Sequence, residues 1–228
     1  MSAITAVGFD IDGTLYPPAA LFLRLVPFTV AHIPLMLAFQ KTRVVMHDKL
    51  DEPGAFYRKQ AAVLAGFLKI DPVRAEHLIE EKIYKNWNVL FKEIKPFPYV
   101  AETLRRLKDA GYKLGALSDF PVREKLVNMK LDGCWDAELS SEAAGALKPA
   151  AAGFFALAEK LQTPPENILY VGNSYRFDVE GAAAAGMKTA LRVSPLRGNR
   201  RFPGVRPDIV FSNYRDLCRT VLDGRGLS

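Results

Sequence analysis

Two aspartates, Asp10 and Asp12, directly follow the apolar run of residues 4–9. This run has the length of a buried β-strand, and Gly13 then begins a turn. Side chains two residues apart on a strand share a face, so the two carboxylates are brought close together. Such crowding of like charges destabilises a fold unless a cation or a reaction uses it. One aspartate suits a nucleophile and the other a proton carrier.

Three further polar features stand just after predicted strands or at the head of a helix. Ser118 follows one strand, Lys148 precedes Pro149, and Asp178 ends a polar segment that follows another strand. Each has a structural alternative: a helix cap for Ser118, a solvated charge for Lys148, and a carboxylate on a helix dipole for Asp178. A strand ending in an ordinary Asp/Gly turn is likewise the simpler alternative for the first two aspartates. Their joint occurrence favours a single site, because open α/β sheets bind ligands at the carboxyl ends of their strands.

In order along the chain, these features resemble the four motifs of the haloacid dehalogenase superfamily. The string Asp-Ile-Asp-Gly-Thr-Leu at residues 10–15 is similar to the first motif. Ser118, Lys148 and the segment 172–178 are similar to the second, third and fourth, and the flanks of the last two match as well. The resemblance covers both ends of the chain.

The resemblance implies a phosphoryl-transfer mechanism. Asp10 would attack a phosphoryl group to form an aspartyl phosphate, and Asp12 would protonate the leaving oxygen and later deprotonate the hydrolytic water. Ser118 and the backbone at Asp119 would bind the phosphoryl oxygens. Lys148 would neutralise charge on the nucleophile and the phosphate. The dehalogenase branch lacks an aspartate at the position of Asp12, so phosphate-ester hydrolysis is the expected reaction.

The resemblance also implies a Mg²⁺ cofactor. Its ligands would be Asp10, the main-chain carbonyl of Asp12, and the fourth motif with Asn173 and Asp178. Most relatives carry an aspartate at the position of Asn173. An amide oxygen can ligate Mg²⁺ but brings no charge, so we expect weaker metal binding unless Asp178 is also a direct ligand.

Alternating helical and strand patterns from Tyr99 onwards predict a parallel sheet with helices on both faces. The predicted strands are residues 4–9, 113–117, 135–139, 168–171, 189–193 and 208–211. We expect residues 1–15 and 96–228 to form a doubly wound, Rossmann-like α/β core of the haloacid dehalogenase type. By analogy with that family, residues 16–95 are expected to form an inserted all-helical cap, which selects the substrate. Within it, a helix should begin at Asp71 and Pro72.

The segment 21–39 is strongly apolar, with Arg24 as its only charge. As one helix it would be ~28 Å long, enough to be considered as a membrane span. A single crossing would separate the first motif from the others, so packing within the cap is expected instead. An apolar substrate pocket, a homodimer interface and peripheral membrane contact remain open.

Composition restricts the partners only broadly. The net charge of +6 favours anionic ligands. The arginines of residues 192–206 alternate with Pro and Gly and predict a solvated basic loop rather than a nucleic-acid interface. Cys134 and Cys218 fit no metal or redox spacing and indicate a reducing compartment. The sequence shows no signal peptide, so we expect a cytoplasmic protein.

The leading hypothesis is therefore a Mg²⁺-dependent phosphatase that acts on a small phosphorylated metabolite. A phosphosugar mutase is one alternative, and it would require the cap to exclude water. Another alternative is a catalytically weak relative that binds a partner or a membrane through the apolar segment 21–39.

Overall fold

The computed structural model describes residues 3–47, 54–195 and 202–224. The described residues form six parallel strands in the order β3-β2-β1-β4-β5-β6. The strands are β1 (Ala6–Phe9), β2 (Lys113–Ser118), β3 (Ala137–Ser140), β4 (Ile168–Gly172), β5 (Lys188–Arg192) and β6 (Ile209–Phe211). The predicted α/β class is confirmed.

The sheet order reverses beside β1, which pairs with β2 on one side and with β4 on the other. Phe9 is level with both Ala116 and Val171, so the residues that follow β1 and β4 leave the sheet together. In an open parallel sheet, ligands bind in the crevice at such a switch point. The topology therefore places residues 10–15 and 172–178 at the expected position for a site.

Helices cover both faces of the sheet. They are α6 (Val100–Asp109), α7 (Arg123–Asn128), α8 (Ala151–Lys160), α9 (Gly181–Ala184) and α10 (Tyr214–Leu222). On one face, Leu104 and Leu217 belong to a buried cluster with Phe9. On the other, Phe154 and Leu157 pack in a second cluster. Each such side chain contributes about 1.5–3 kcal/mol by leaving water, so the two apolar layers hold the strand ends rigidly.

A helical insertion separates β1 from α6. It consists of α1 (Pro18–Ala31), α2 (Ile33–His47), α3 (Ala55–Leu68), α4 (Pro72–His77), a π-helical segment (Leu78–Tyr84) and α5 (Lys85–Phe91). As predicted, Asp71 caps α4, and its side chain accepts a hydrogen bond from the Val73 amide at 2.8 Å. The insertion has its own buried apolar cluster, which includes Phe39, Leu64 and Ile83.

The segment 21–39 does not form one continuous helix. The helical path breaks at His32, and α1 and α2 are bent by 119° relative to one another. Pro34 explains the break, because it cannot donate to the carbonyl of Val30 and its ring clashes there. Among the described residues, no single helix is both long and apolar enough to cross a membrane, although α1 and α2 together have the length and composition.

A second difference concerns the fourth motif. The alanine-rich sequence after Asp178 predicts a helix that begins at Asp178 and ends at Gly186, but the observed helical turn is Tyr175–Glu180, and it begins after Ser174. The Ser174 hydroxyl accepts a hydrogen bond from the amide of Phe177 and so caps this turn. Asp178 is thus inside the helix, where its side chain is free to fold back toward the strand end.

Candidate active site

Asp10 is a buried carboxylate at the carboxyl end of β1. Its Oδ1 accepts a hydrogen bond from Lys148 Nζ at 2.7 Å, and its Oδ2 accepts one from the Thr14 hydroxyl at 2.6 Å. Burial raises the pKa of Asp10 to about 7; the Lys148 ammonium opposes this rise, and the charges of Asp178 and Asp12 add to it. The ionised form of Asp10 therefore has too little positive charge around it.

Asp12 lies in a different electrostatic environment, although it is only two residues away. Its Oδ2 accepts hydrogen bonds from Lys125 Nζ at 2.5 Å and Ser118 Oγ at 2.6 Å. Its Oδ1 accepts one from the Tyr16 hydroxyl at 2.7 Å. Although burial opposes ionisation, the Lys125 charge and these hydrogen bonds hold the pKa of Asp12 below its usual value. The two carboxylates are thus tuned in opposite directions: without a further cation, Asp10 holds a proton more readily than an ordinary aspartate, whereas Asp12 is held ionised.

Lys148 joins the third motif to the first and fourth. Its buried Nζ donates to Asp10 Oδ1 and to Asp178 Oδ1, both at 2.7 Å. Burial alone would lower the pKa of Lys148, but the charges of Asp10 and Asp178 raise it well above its usual value. The ammonium therefore stays charged between the two carboxylates.

The fourth motif brings Asp178 back to the end of β4. Its Oδ2 accepts hydrogen bonds from the amides of Asn173 and Ser174, at 3.1 and 2.9 Å. This fold requires glycine at position 172, because a Cβ there would come within 2.3 Å of the Asp178 side chain. Both predicted residues of this region, Asn173 and Asp178, line the pocket, and both oxygens of Asp178 already accept hydrogen bonds from the protein.

Oxygen atoms of the first and fourth motifs converge on the Thr14 hydroxyl. That hydroxyl lies 2.6 Å from Asp10 Oδ2 and 3.2 Å from Asn173 Oδ1. Gly13 allows this approach, since it has a φ of +88° and a Cβ there would meet the Asn173 side chain at 2.4 Å. The oxygen atoms at this place are hard metal ligands, which Mg²⁺ prefers. The raised pKa of Asp10 indicates that its carboxylate needs a nearby cation.

The described residues contain no cluster of three or more His, Cys, Asp or Glu side chains arranged to hold a metal ion. A Mg²⁺ ion at this place would therefore use the Asn173 amide or main-chain oxygen in addition to carboxylates, and would keep water or substrate oxygens as further ligands. The residues present fit such an ion. The individual ligands remain a prediction.

The loop after β2 connects the site to the helical insertion. The Asp119 side chain accepts a hydrogen bond from the Lys148 amide at 2.9 Å, and its main-chain carbonyl accepts one from Arg43 of α2. Arg43 also forms a buried ion pair with Glu142. From the end of α2, the His47 ring lies 2.9 Å from the Lys148 carbonyl oxygen. The insertion is thus fastened to the loops that carry Asp119, Glu142 and Lys148 by buried and partly buried polar contacts.

A pocket of about 140 Å³ lies among the residues of the four motifs. Its lining residues are Asp10, Asp12, Asp119, Phe120, Lys148, Asn173, Ser174, Phe177 and Asp178. Ser118, predicted to contact substrate, is fully buried and donates to Asp12. The pocket is small, and Asp10 and Asp12, two of its four aspartates, differ in protonation behaviour, so a proton can move beside a group bound there.

Sequence reasoning missed Lys125. Its side chain is 3% exposed, and its Nζ forms the ion pair with Asp12. A signal was available: Val122, Leu126 and Met129 form the apolar face of α7, and Lys125 stands on that face. A lysine at an apolar position of a helix indicates a buried charge with a partner.

Comparison with known proteins places the chain among hydrolases. A family model described as haloacid dehalogenase-like hydrolase matches residues 4–186. A protein of Methanothermobacter thermautotrophicus named glyceraldehyde 3-phosphate phosphatase is 30% identical, and the match covers 96% of each chain. A protein of Bacillus mycoides named pyrophosphatase PpaX is 27% identical, and the match covers 94% of this chain and 95% of that protein.

Solved structures show the same fold. A HAD phosphatase from Thermococcus onnurineus has a TM-score of 0.63 at 22% identity, over 97% of this chain and 99% of that one. A 2-haloacid dehalogenase from Pseudomonas syringae pv. Tomato has a TM-score of 0.68 at 22% identity, with the same coverage. Because both phosphatases and dehalogenases share the architecture, the fold alone does not select the reaction.

Proposed function

The chain belongs to the haloacid dehalogenase-like hydrolase family, and we propose that it is a Mg²⁺-dependent phosphatase that hydrolyses a small phosphorylated metabolite through an aspartyl-phosphate intermediate. The observation that carries this proposal is the geometry of two carboxylates at one small pocket, with Asp10 paired to Lys148 and Asp12 paired to Lys125. The names of the similar phosphatases support it.

In the first half of the reaction, a carboxylate oxygen of Asp10 attacks phosphorus while the bond to the ester oxygen breaks. Asp12 gives its proton to that leaving oxygen. Resting Asp12 is held ionised by Lys125, but the negative charge of a bound phosphoryl group opposes that ionisation and raises the pKa of Asp12. In the second half, Asp12 takes a proton from water, which attacks phosphorus and releases Asp10.

The remaining polar groups stabilise charge. Lys148 lies against Asp10 and balances the negative charge that nucleophile and phosphate share. We propose that the backbone at Asp119 binds a phosphoryl oxygen, and that Ser118 does so when its hydroxyl turns from Asp12. A Mg²⁺ ion held by Asp10, the Asp12 carbonyl and the fourth motif would supply further positive charge to the phosphoryl oxygens.

A screen of phosphate esters tests the reaction class. Esters of small sugars and glycerol, an aryl phosphate and inorganic pyrophosphate are incubated with the protein, with and without Mg²⁺, and phosphate release is measured. We expect hydrolysis that depends on Mg²⁺. Turnover of 2-haloacids in place of phosphate esters would contradict the proposal, and phosphate recovered on an added sugar rather than in water would indicate a mutase.

Asn173→Asp should tighten Mg²⁺ binding. A carboxylate adds a Coulombic attraction of a few kcal/mol at an effective dielectric of about 20, before desolvation is subtracted. Added repulsion with Asp10 offsets part of the gain. We expect half-maximal activity at a several-fold lower Mg²⁺ concentration, measured by titrating both proteins at one pH. Coincident curves would show that Asn173 is not a metal ligand, and Asp178 would then be tested in the same way with Asp178→Asn.

Lys125→Met should move the pH profile of the reaction. Without the ammonium, the buried carboxyl of Asp12 loses its main stabilising charge, so its pKa rises. An acid must be protonated to act, and activity is lost as pH rises through its pKa. We therefore expect the alkaline limb of the kcat profile for an alkyl phosphate to move about one pH unit or more upwards. Lys92→Met, which replaces an exposed lysine, is the control; an unchanged limb in Lys125→Met would contradict the assigned coupling.

We further propose that residues 16–95 act as the cap that selects the substrate and that the protein works in the cytoplasm. Cys134 and Cys218 are unpaired within the described residues, which suits a reducing compartment. The structure describes only part of the basic segment 192–206, because residues 196–201 lie outside the described residues. A homodimer interface or peripheral membrane contact through residues 21–39 is the second candidate role, favoured by the exposure of α1, where within Pro18–Ala31 no residue is buried.

A further inference from the structure

A large apolar cavity lies in the helical insertion. Its volume is about 560 Å³, four times that of the catalytic pocket and within the range of small-molecule sites. It is lined by Phe22, Leu25, Thr29, Ile33, Met36, Leu37, Phe39, Gln40, Arg43, Trp87 and Phe120. Side chains of α1 and α2 supply most of the wall, so the bend at His32 creates the cavity.

Phe120 joins this cavity to the catalytic pocket, because it lines both. Its ring centroid lies 5.2 Å from Nζ of Lys125, the partner of Asp12. On the insertion side, the Arg43 guanidinium lies 4.2 Å and the Trp87 ring 4.8 Å from the same centroid. A single aromatic side chain therefore separates the place where the ester bond would break from the apolar space.

The charge in the cavity wall is already neutralised. Among the described lining residues, Arg43 is the one charged side chain, and it is engaged by Glu142 and the Asp119 carbonyl. A second cavity, of about 360 Å³, is lined by Glu76 and Glu80 and shares no described lining residue with the catalytic pocket. Of these two cavities, the apolar one is thus the cavity that shares a wall residue, Phe120, with the phosphate site.

Helix α1 lacks the packing that normally stabilises a helix. Within Pro18–Ala31 no residue is buried, and Phe22 remains 69% exposed. An apolar helix of this length is not expected to be stable in water from propensity alone, and exposed apolar surface of this extent marks an interaction site. A ligand inside the cavity would cover the inner side of α1, including Leu25.

We propose that this cavity binds the hydrocarbon tail of the substrate, and that the substrates are phosphate monoesters of extended apolar alcohols. The inference rests on the proposed phosphatase activity and adds the class of the alcohol. The catalytic pocket has room for little more than a phosphoryl group and its counter-charges, so the rest of the ester must extend out of it, and Phe120 is the lining residue that this pocket shares with the apolar cavity. An extended chain that passes this ring fits the cavity, whereas a second copy or a membrane surface does not fill a concave cavity that borders the phosphate site.

The first test is a series of n-alkyl phosphates, used below the concentrations at which they form micelles. Each buried methylene should raise kcat/KM about fourfold until the cavity is filled. The gain should come through KM, since tail binding contributes equally to ground and transition states. Equal kcat/KM for methyl and decyl phosphate would overturn the proposal while leaving the phosphatase activity established.

Two leucines of α1 provide a matched pair of variants. Leu25 lines the cavity, whereas Leu23 does not and is 68% exposed. Leu25→Gln should lower kcat/KM for decyl phosphate about tenfold more than for methyl phosphate. Leu23→Gln should leave both unchanged. Equal losses in the two variants would overturn the proposal and indicate an outer apolar interface, which sedimentation and flotation with phosphatidylcholine vesicles would assign to a second copy or to lipid.

Tail binding can also be measured without catalysis. Trp87 lines the cavity, so decyl phosphate should change the tryptophan fluorescence of the Asp10→Asn protein saturably, and more strongly than methyl phosphate does. The change should disappear in the Trp87→Phe form of that protein and weaken with Leu25→Gln. If no phosphate ester is hydrolysed, the proposed activity fails, and this titration alone decides the tail site. Absence of saturable binding would overturn it.

Discussion

Asp10→Asn is expected to lower kcat by about 10⁴-fold or more, because an amide is a poor nucleophile and the covalent route is lost. The change is nearly isosteric, so the fold should remain. Asp10 is buried and accepts its hydrogen bonds from Lys148 and Thr14, which an asparagine oxygen can also accept.

The measurement is phosphate release from an aryl phosphate at saturating Mg²⁺, with circular dichroism to check the fold. Asp109→Asn, at an exposed surface aspartate, is the matched control and should be fully active. Acid-quenched wild-type protein should carry a phosphoryl group on the peptide that contains residue 10, and Asp10→Asn should carry none. Turnover at the wild-type rate in Asp10→Asn would eliminate the covalent mechanism.

The same variant should be more stable than the wild type in neutral, metal-free solution. Burial raises the pKa of Asp10 from 3.8 to about 7, so between these values the folded state binds more protons than the unfolded state. Stability then falls as pH rises across this window, by up to about 4 kcal/mol from this group. Asp10→Asn lacks this contribution. Urea unfolding of both proteins in EDTA at pH 4.5 and 8 should show a steeper loss for the wild type; parallel losses would contradict the assigned charge imbalance.

The sequence predicted those site residues that stand at strand ends. Asp10 directly follows β1, Asp12 stands two residues later and Ser118 ends β2, and the parallel sheet with its switch point beside β1 brings them together. The position of each residue relative to the end of its strand decides this geometry, so the local sequence pattern is sufficient to predict it. Lys125 is different, because its role depends on how α7 packs against the loop after β1, and such packing is a tertiary property that local spacing does not determine.

The helical insertion was predicted as helical, but its shape was not. Pro34 breaks the helical path at His32, but the angle between α1 and α2 and the cavity behind the bend also depend on how the two helices pack near Phe120 and Trp87. Apolar composition in residues 21–39 indicated an unusual surface, and it could not distinguish a pocket from an interface. Position 173 shows a related limit. The sequence shows that an amide stands there, but it does not show that Asn173 and Asp10 both lie within hydrogen-bond distance of the Thr14 hydroxyl.

Asp12→Asn is expected to separate the two halves of the reaction. Loss of a general acid or base costs about 10²–10⁴-fold, but the cost should depend on the leaving group. An alkyl phosphate needs a proton on its leaving oxygen, so its phosphoryl transfer to Asp10 should slow by that factor. An aryl phosphate such as p-nitrophenyl phosphate releases a stable anion without a proton, so its first step should continue while hydrolysis of the intermediate slows.

Rapid mixing of Asp12→Asn with p-nitrophenyl phosphate should therefore give a burst of nitrophenol equal to the enzyme concentration, followed by slow turnover. Tyr16→Phe is the matched control, because it removes one hydrogen bond to Asp12 and keeps the carboxylate; it should show neither a burst nor a large loss. Equal losses on alkyl and aryl esters without a burst would assign Asp12 a purely structural role, since its contacts with Ser118 and Lys125 also hold the loop after β2 against the strand end. A burst, in contrast, requires that the carboxylate acts on the hydrolytic water, because Asp10 is intact in this variant and still accepts the phosphoryl group.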